Sequence, residues 1–172
     1  MSEPRILVAG IGNIFFGDDA FGVEVARRLA RRALPEGVRV VDFGIRGLDL
    51  AYTLLAEHDL VILVDATCRG AEPGALYVIE PEVTDAVGSD VGTPLVDGHG
   101  MHPARVLQMA RELGGQPRKL LVVGCEPATF GDELEGAMGL SAPVESAVDA
   151  AIAMIESLCA KAAEEHQAAA LA

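Results

Sequence analysis

Three uninterrupted apolar runs constrain this chain more than any other feature: Ile6-Leu7-Val8-Ala9, Val61-Ile62-Leu63-Val64 and Leu120-Leu121-Val122-Val123. A strand with one wet face alternates apolar and polar residues, whereas a strand apolar at every position must be covered on both faces. The runs stop at Gly10, Asp65 and Gly124. Strands are therefore predicted at Arg5–Gly10, Leu60–Val64 and Leu120–Gly124, with two more at Val38–Phe43 and Ala75–Ile79.

The intervening segments carry helical spacing. Over Ala20–Ala33, Phe21, Val25 and Leu29 recur every four residues beside Ala26, Ala30 and Ala33, and Arg27, Arg28, Arg31 and Arg32 take the outer face. Pro35 and Gly37 end that segment. A short helix is expected at Leu48–Glu57, and another near Pro103–Leu113, where Pro103 suits the first turn. The last is expected from Pro143 to Ala162, with Val144, Val148, Ile152, Ile155 and Leu158 as its inner stripe and Ser141 as its cap. Strands alternating with helices imply βαβ units. The expected fold is a single α/β domain over residues 1–165, three-layered, with a mostly parallel five-stranded sheet and helices on both faces. Residues 166–172 are expected to fray.

Composition agrees and narrows the partners. Hydrophobic residues make up 51% of the chain and charged residues 23%, enough apolar surface for a packed core. The formal net charge of −13 repels phosphate backbones and anionic lipid, so neither nucleic acid nor membrane is an expected partner. The opening apolar run is too short for a secretory signal, and no segment is long enough to span a bilayer. The three cysteines, Cys68, Cys125 and Cys159, lack metal-ligand spacing and are read as core or surface thiols. A cytoplasmic monomer is the expectation.

In an open α/β sheet, ligands gather beyond the carboxyl ends of the strands. Asn13, Asp18 and Asp19 follow the first strand, Asp65, Thr67 and Arg69 the third, and Glu126 the fifth; His99 and His102 precede the helix that leads into the fifth. Taken singly, each has an ordinary reading. Asp18 and Asp19 fit as acids at a helix start, and the ordinary reading is kept for Asp18. Asp65 could bond the amides of its own turn, yet an unpaired carboxylate closing an apolar run is costly. His99, between Gly98 and Gly100, could be a plain loop residue. His58 and His166 read as surface residues. Two carboxylates and an imidazole would form a hard-to-borderline divalent site with open positions for water.

Other chemistries fit less well. Gly10-Ile11-Gly12 suggests a dinucleotide turn, but Phe15 stands where the third glycine belongs, and Asp18 and Asp19 would repel a pyrophosphate. No nucleotide is expected. A Gly-x-Ser-x-Gly elbow is absent, as is any HExxH helix.

The blocks Ile6-Leu7-Val8-Ala9-Gly10-Ile11-Gly12-Asn13 and Gly17-Asp18-Asp19-Ala20-Phe21-Gly22-Val23 resemble the opening of the nickel–iron hydrogenase maturation proteases. Leu63-Val64-Asp65-Ala66, His99 before a helix, Val122-Val123-Gly124-Cys125-Glu126-Pro127 and Gly139-Leu140-Ser141 follow in the same order and spacing. The resemblance implies an endopeptidase that removes a C-terminal extension from the precursor of a hydrogenase large subunit once nickel is in place. It also implies metal ligands at Asp19, Asp65 and His99, with Asp19 and Asp65 carrying the acid–base work. The first ligand is often Glu in the family and is Asp here, one methylene shorter. His102 is a nearby competitor for the third position. Nickel is expected to be carried by the substrate or to exchange freely. Whether a metal-activated water or a carboxylate base cuts the bond stays open, as does the alternative of a nickel-binding accessory protein that does not cleave.

Overall fold

The computed structural model describes residues 3–81, 103–132 and 134–171. Five strands form one sheet: β1 (Ile6–Ile11), β2 (Val38–Gly44), β3 (Leu60–Ala66), β4 (Leu76–Ile79) and β5 (Leu120–Cys125). Their order is β2-β1-β3-β5-β4. β1 pairs in parallel with β2 and β3, and β3 with β5; β4 lies antiparallel on β5. The helices are α1 (Phe21–Leu29), α2 (Gly47–Thr53), α3 (Pro103–Glu112) and α4 (Ala142–Ala170), with a 3-10 helix at Gly17–Ala20 leading into α1.

Residue alternation along the central strands divides the core in two. Ile6, Val8, Ile62, Val64 and Val123 pack against Phe21, Val25 and Leu29 of α1 and Val148, Ile152 and Ile155 of α4. Leu7, Ala9, Ile11, Val61 and Leu63 pack against Leu50 and Ala51 of α2 and Val106, Leu107 and Ala110 of α3. This is the expected three-layer arrangement, and it explains why the central runs carry no polar residue. Across the outer face of the first layer, Arg28 of α1 reaches both Glu24 and Glu145 at 2.6 Å, and Arg32 reaches Glu156 at 3.4 Å. Exposed pairs of this kind contribute about 0–1 kcal/mol each, so the apolar layer, not the arginines, holds α1 to α4.

Several boundaries move. The first helix ends at Leu29, short of the expected Ala33, and a 3-10 helix over Gly17–Ala20 precedes it. Past Leu29 the amides of Arg31 and Arg32 bond three residues back, which tightens the chain into a turn. The second helix is shorter than expected, ending at Thr53. α4 instead runs to Ala170, so residues 166–170, expected to fray, are helical. No Gly or Pro follows Pro143 in that stretch, and Ala, Glu, Lys and Gln favour helix. His166 Nδ1 also sits 3.5 Å from Asp59 Oδ2, tying the helix to the amino edge of the sheet. His166 and His58 are thus partly buried there rather than free surface residues.

Candidate functional site

Parallel pairing sends the ends of β1, β3 and β5 to one edge. Gly10 is paired with Val64, and Asp65 with Gly124, so Asp65 stands just past the last rung that β1 shares with β3. Two glycines bring the next segment close. A Cβ on Gly22 would lie 2.0 Å from the Val64 carbonyl oxygen and 2.4 Å from that of Ile11. Only a glycine lets the start of α1 rest on the strand ends. Gly12 has φ +137°, and a Cβ there would lie 1.8 Å from the Asp19 carbonyl oxygen. The β1 turn therefore folds directly against the residue that carries the first candidate carboxylate.

Asp19 is held in that position. Its Oδ2 accepts a hydrogen bond from the Asn13 amide at 2.8 Å, and its own amide donates to the Phe16 carbonyl at 3.0 Å. The side chain is 8% exposed. Asp65, partly buried, lies near enough for the two acids to interact electrostatically. Burial pushes its carboxyl well above the usual carboxylate range; the charge of Asp19 pushes it further, and the amide of Ala66 opposes both. The structure thus brings Asp19 and Asp65 to one edge as an interacting pair. His99 and His102 lie outside the described residues. Among the described residues, no three His, Cys, Asp or Glu side chains are grouped to hold a metal ion. The sequence places His99 four residues ahead of α3.

Two more acids here have structural work that the sequence did not reveal. Asp18 is fully buried. Its Oδ2 accepts from the amides of Ala128 (2.7 Å) and Thr129 (3.1 Å) and from the Ser141 hydroxyl (2.8 Å), while Oδ1 accepts from the Ser141 amide (2.7 Å). Hydrogen bonds to a charged acceptor contribute about 1.5–3 kcal/mol each. Asp18 is not a simple helix-start acid, and Ser141, at the cap position of α4, spends its side chain on Asp18 rather than on its own helix. Glu126 accepts from the amides of Arg69 (2.8 Å) and Gly70 (3.1 Å) and from the Tyr77 hydroxyl (2.7 Å). The Tyr77 bond, then the Arg69 amide, hold its carboxyl below the ordinary value. It closes the β3–β4 connection; neither Asp18 nor Glu126 has a carboxylate face to offer a substrate. The doublet Asp18-Asp19 was visible in the sequence, but not which member turns inward.

The thiols are poor nucleophiles. Burial pushes Cys125 and Cys159 up to about 11, and burial and the surrounding carboxylates raise Cys68. None is a thiolate at neutral pH. A pocket bordered by Leu54, Leu107, Arg111 and Pro117 lies at the opposite, amino edge and holds no such carboxylate pair.

Residues 23–158 match the family model described as hydrogenase maturation protease. The chain belongs to this family. A hydrogenase expression/formation protein, HupD of Rhizobium leguminosarum bv. viciae, is 37% identical over 87% of this chain and 71% of its own length. The hydrogenase 2 maturation protease of Escherichia coli (strain K12) is 33% identical over 88% of each chain. Among solved structures, the hydrogenase maturating endopeptidase HybD from E. coli superposes with a TM-score of 0.73 at 28% identity, covering 91% of this chain and 93% of that one. The protein is a peptidase, and the reading of a non-cleaving accessory protein gives way.

Proposed function

We propose that this maturation protease removes the C-terminal extension from the large-subunit precursor of a nickel–iron hydrogenase, and does so after nickel insertion. The observation that carries the reading is the pairing of Asp19 and Asp65 at the carboxyl edge of a chain in this family. A cation fits there by donor chemistry. Two carboxylates in mutual repulsion, one of them driven toward its protonated form, gain from a shared positive charge. Asp19, Asp65 and His99 would hold it through oxygen and nitrogen, without thiolates to retain it, so the ion belongs to the precursor and serves as a handle.

Peptide hydrolysis then needs a base for the attacking water and an acid for the leaving nitrogen. Asp19 and Asp65 are the groups for both: one carboxylate takes the proton of the water and, protonated by that step, returns it to the leaving amine. With the thiols held protonated, water attacks directly and no acyl-enzyme forms. A cytoplasmic site of action is part of this reading; no helix among the described residues is long and apolar enough to cross a membrane.

The test incubates the enzyme with nickel-loaded and nickel-free precursor and follows the loss of C-terminal mass. Cleavage of the loaded form alone is expected. Equal cleavage of both would replace the handle with an ordinary metalloprotease mechanism. In the same assay His99→Ala should abolish processing and His102→Ala should slow it less; the reverse order would move the third ligand to His102.

A further inference from the structure

We propose that Asp18 is a positioning residue for Asp19: it latches the loop over residues 126–141 onto the 3-10 helix and thereby fixes where the Asp19 carboxylate stands. The inference rests on the reading of Asp19 as a site carboxylate.

The two acids are chain neighbours with opposite duties. Asp18 gathers four donors from the segment between β5 and α4: the amides of Ala128, Thr129 and Ser141 and the Ser141 hydroxyl. The backbone repeats the attachment. The Asp18 amide donates to the Thr129 carbonyl at 3.0 Å, the Gly17 amide to the Ala137 carbonyl at 2.7 Å, and the Ala137 amide to the Phe15 carbonyl at 2.8 Å. Residues 15–18 are thus clamped by the loop. Asp19 is attached on the other side, to the β1 turn, through the Asn13 amide. The 3-10 helix is four residues long, too short to hold its own geometry, so its orientation depends on these flanking bonds. With the latch made, the peptide plane between Asp18 and Asp19 is fixed from both sides. With it broken, only the backbone bonds to the loop and the Asn13–Asp19 bond remain, and the turn loses the buried carboxylate that ties Ala128, Thr129 and Ser141 to it.

The chemistry of the latch gives a selective variant. Asn has one acceptor oxygen where Asp18 uses two. In Asp18→Asn one oxygen position becomes an NH2 group facing the Ser141 amide or the pair at Ala128 and Thr129, donor against donor. Ser141→Ala removes one of the four donors and leaves the other three.

Amide hydrogen exchange on the full chain reads the coupling without any substrate. In Asp18→Asn, exchange at Asn13, whose amide touches Asp19 and not Asp18, should accelerate by about tenfold, the counterpart of one charge-assisted bond. Exchange at Val8, deep in β1, should stay as in the native protein. With nickel-loaded precursor, kcat should fall by about 100-fold, the cost of a displaced catalytic group, with KM little changed. Ser141→Ala should move both readouts in the same direction by less, and it decides the matter if Asp18→Asn does not fold. Unchanged exchange at Asn13 in a folded variant, or an unchanged kcat, would overturn the latch. If the native protein fails to cleave the precursor, the proposed function fails instead, while the exchange result still stands or falls by itself.

Discussion

Asp65 ends a run of five buried apolar residues, and its carboxyl feels burial and the charge of Asp19 in the same direction. Both favour the protonated form, so its pKa in the folded protein is raised above the unfolded value of about 3.9. The folded state then binds more protons than the unfolded one, and stability falls as pH climbs through the window between the two values. Above that window the full penalty is present. Asp65→Asn should therefore raise the Tm of metal-free protein at neutral pH and lose that advantage below about pH 4, where the unfolded carboxyl is protonated too. Calorimetry across pH measures this. The same variant should not process precursor. A variant that is both less active and less stable at pH 7 would mean that Asp65 is a structural residue. Such opposition between stability and activity is expected where a group is held in a poor environment for its chemistry.

The element that matters most for the site is the junction of β1, the 3-10 helix and α1. Its geometry depends on close backbone approach at Gly22, whose added Cβ would meet the Val64 and Ile11 carbonyl oxygens. Backbone atoms of two central strands cannot step aside as a flexible side chain could. Gly22→Ala should destabilise the domain by about 1–3 kcal/mol, as overpacking does, and should also lower activity by lifting α1 and Asp19 off the strand ends. Urea unfolding gives the first number through the midpoint; an unchanged midpoint would show that the junction yields. Uninterrupted apolar runs and apolar residues at helical spacing made the elements legible in the sequence, but the ends of α1 and α4 were not. Helix ends depend on what the flanking residues bond to: the amides of Arg31 and Arg32 tighten into a turn, while His166 finds Asp59.

At the scale of the whole molecule, the net charge of −13 and the position of the site at one edge point to an enzyme that meets its substrate transiently. Like charge opposes self-association. Sedimentation at micromolar concentration should give the monomer mass, and a tight dimer would contradict this. The second core layer, built on α2 and α3, and the first, on α1 and α4, clamp the sheet from both sides. The strand ends are thereby held as a rigid edge, on which an acid-pair geometry can be maintained.

The sequence by itself determined the fold class, the strand centres and the identity of the acids at the carboxyl edge. Burial on both faces admits only apolar runs, and a parallel sheet sends every strand end the same way. Tertiary structure alone decided the division of labour among those acids. Asp18, Asp19, Asp65 and Glu126 are alike in kind, and each follows an apolar run or stands at a helix start in ways the sequence cannot rank. What separates them is which donors come within reach. Ser141 and the amides of Ala128 and Thr129 lie more than 100 residues from Asp18 along the chain, and those of Arg69 and Gly70 more than 50 from Glu126. A carboxylate surrounded by such donors is consumed by structure. The charge of Asp19 instead acts on Asp65, and that repulsion, which exists only once the sheet is built, is what the proposed function puts to use.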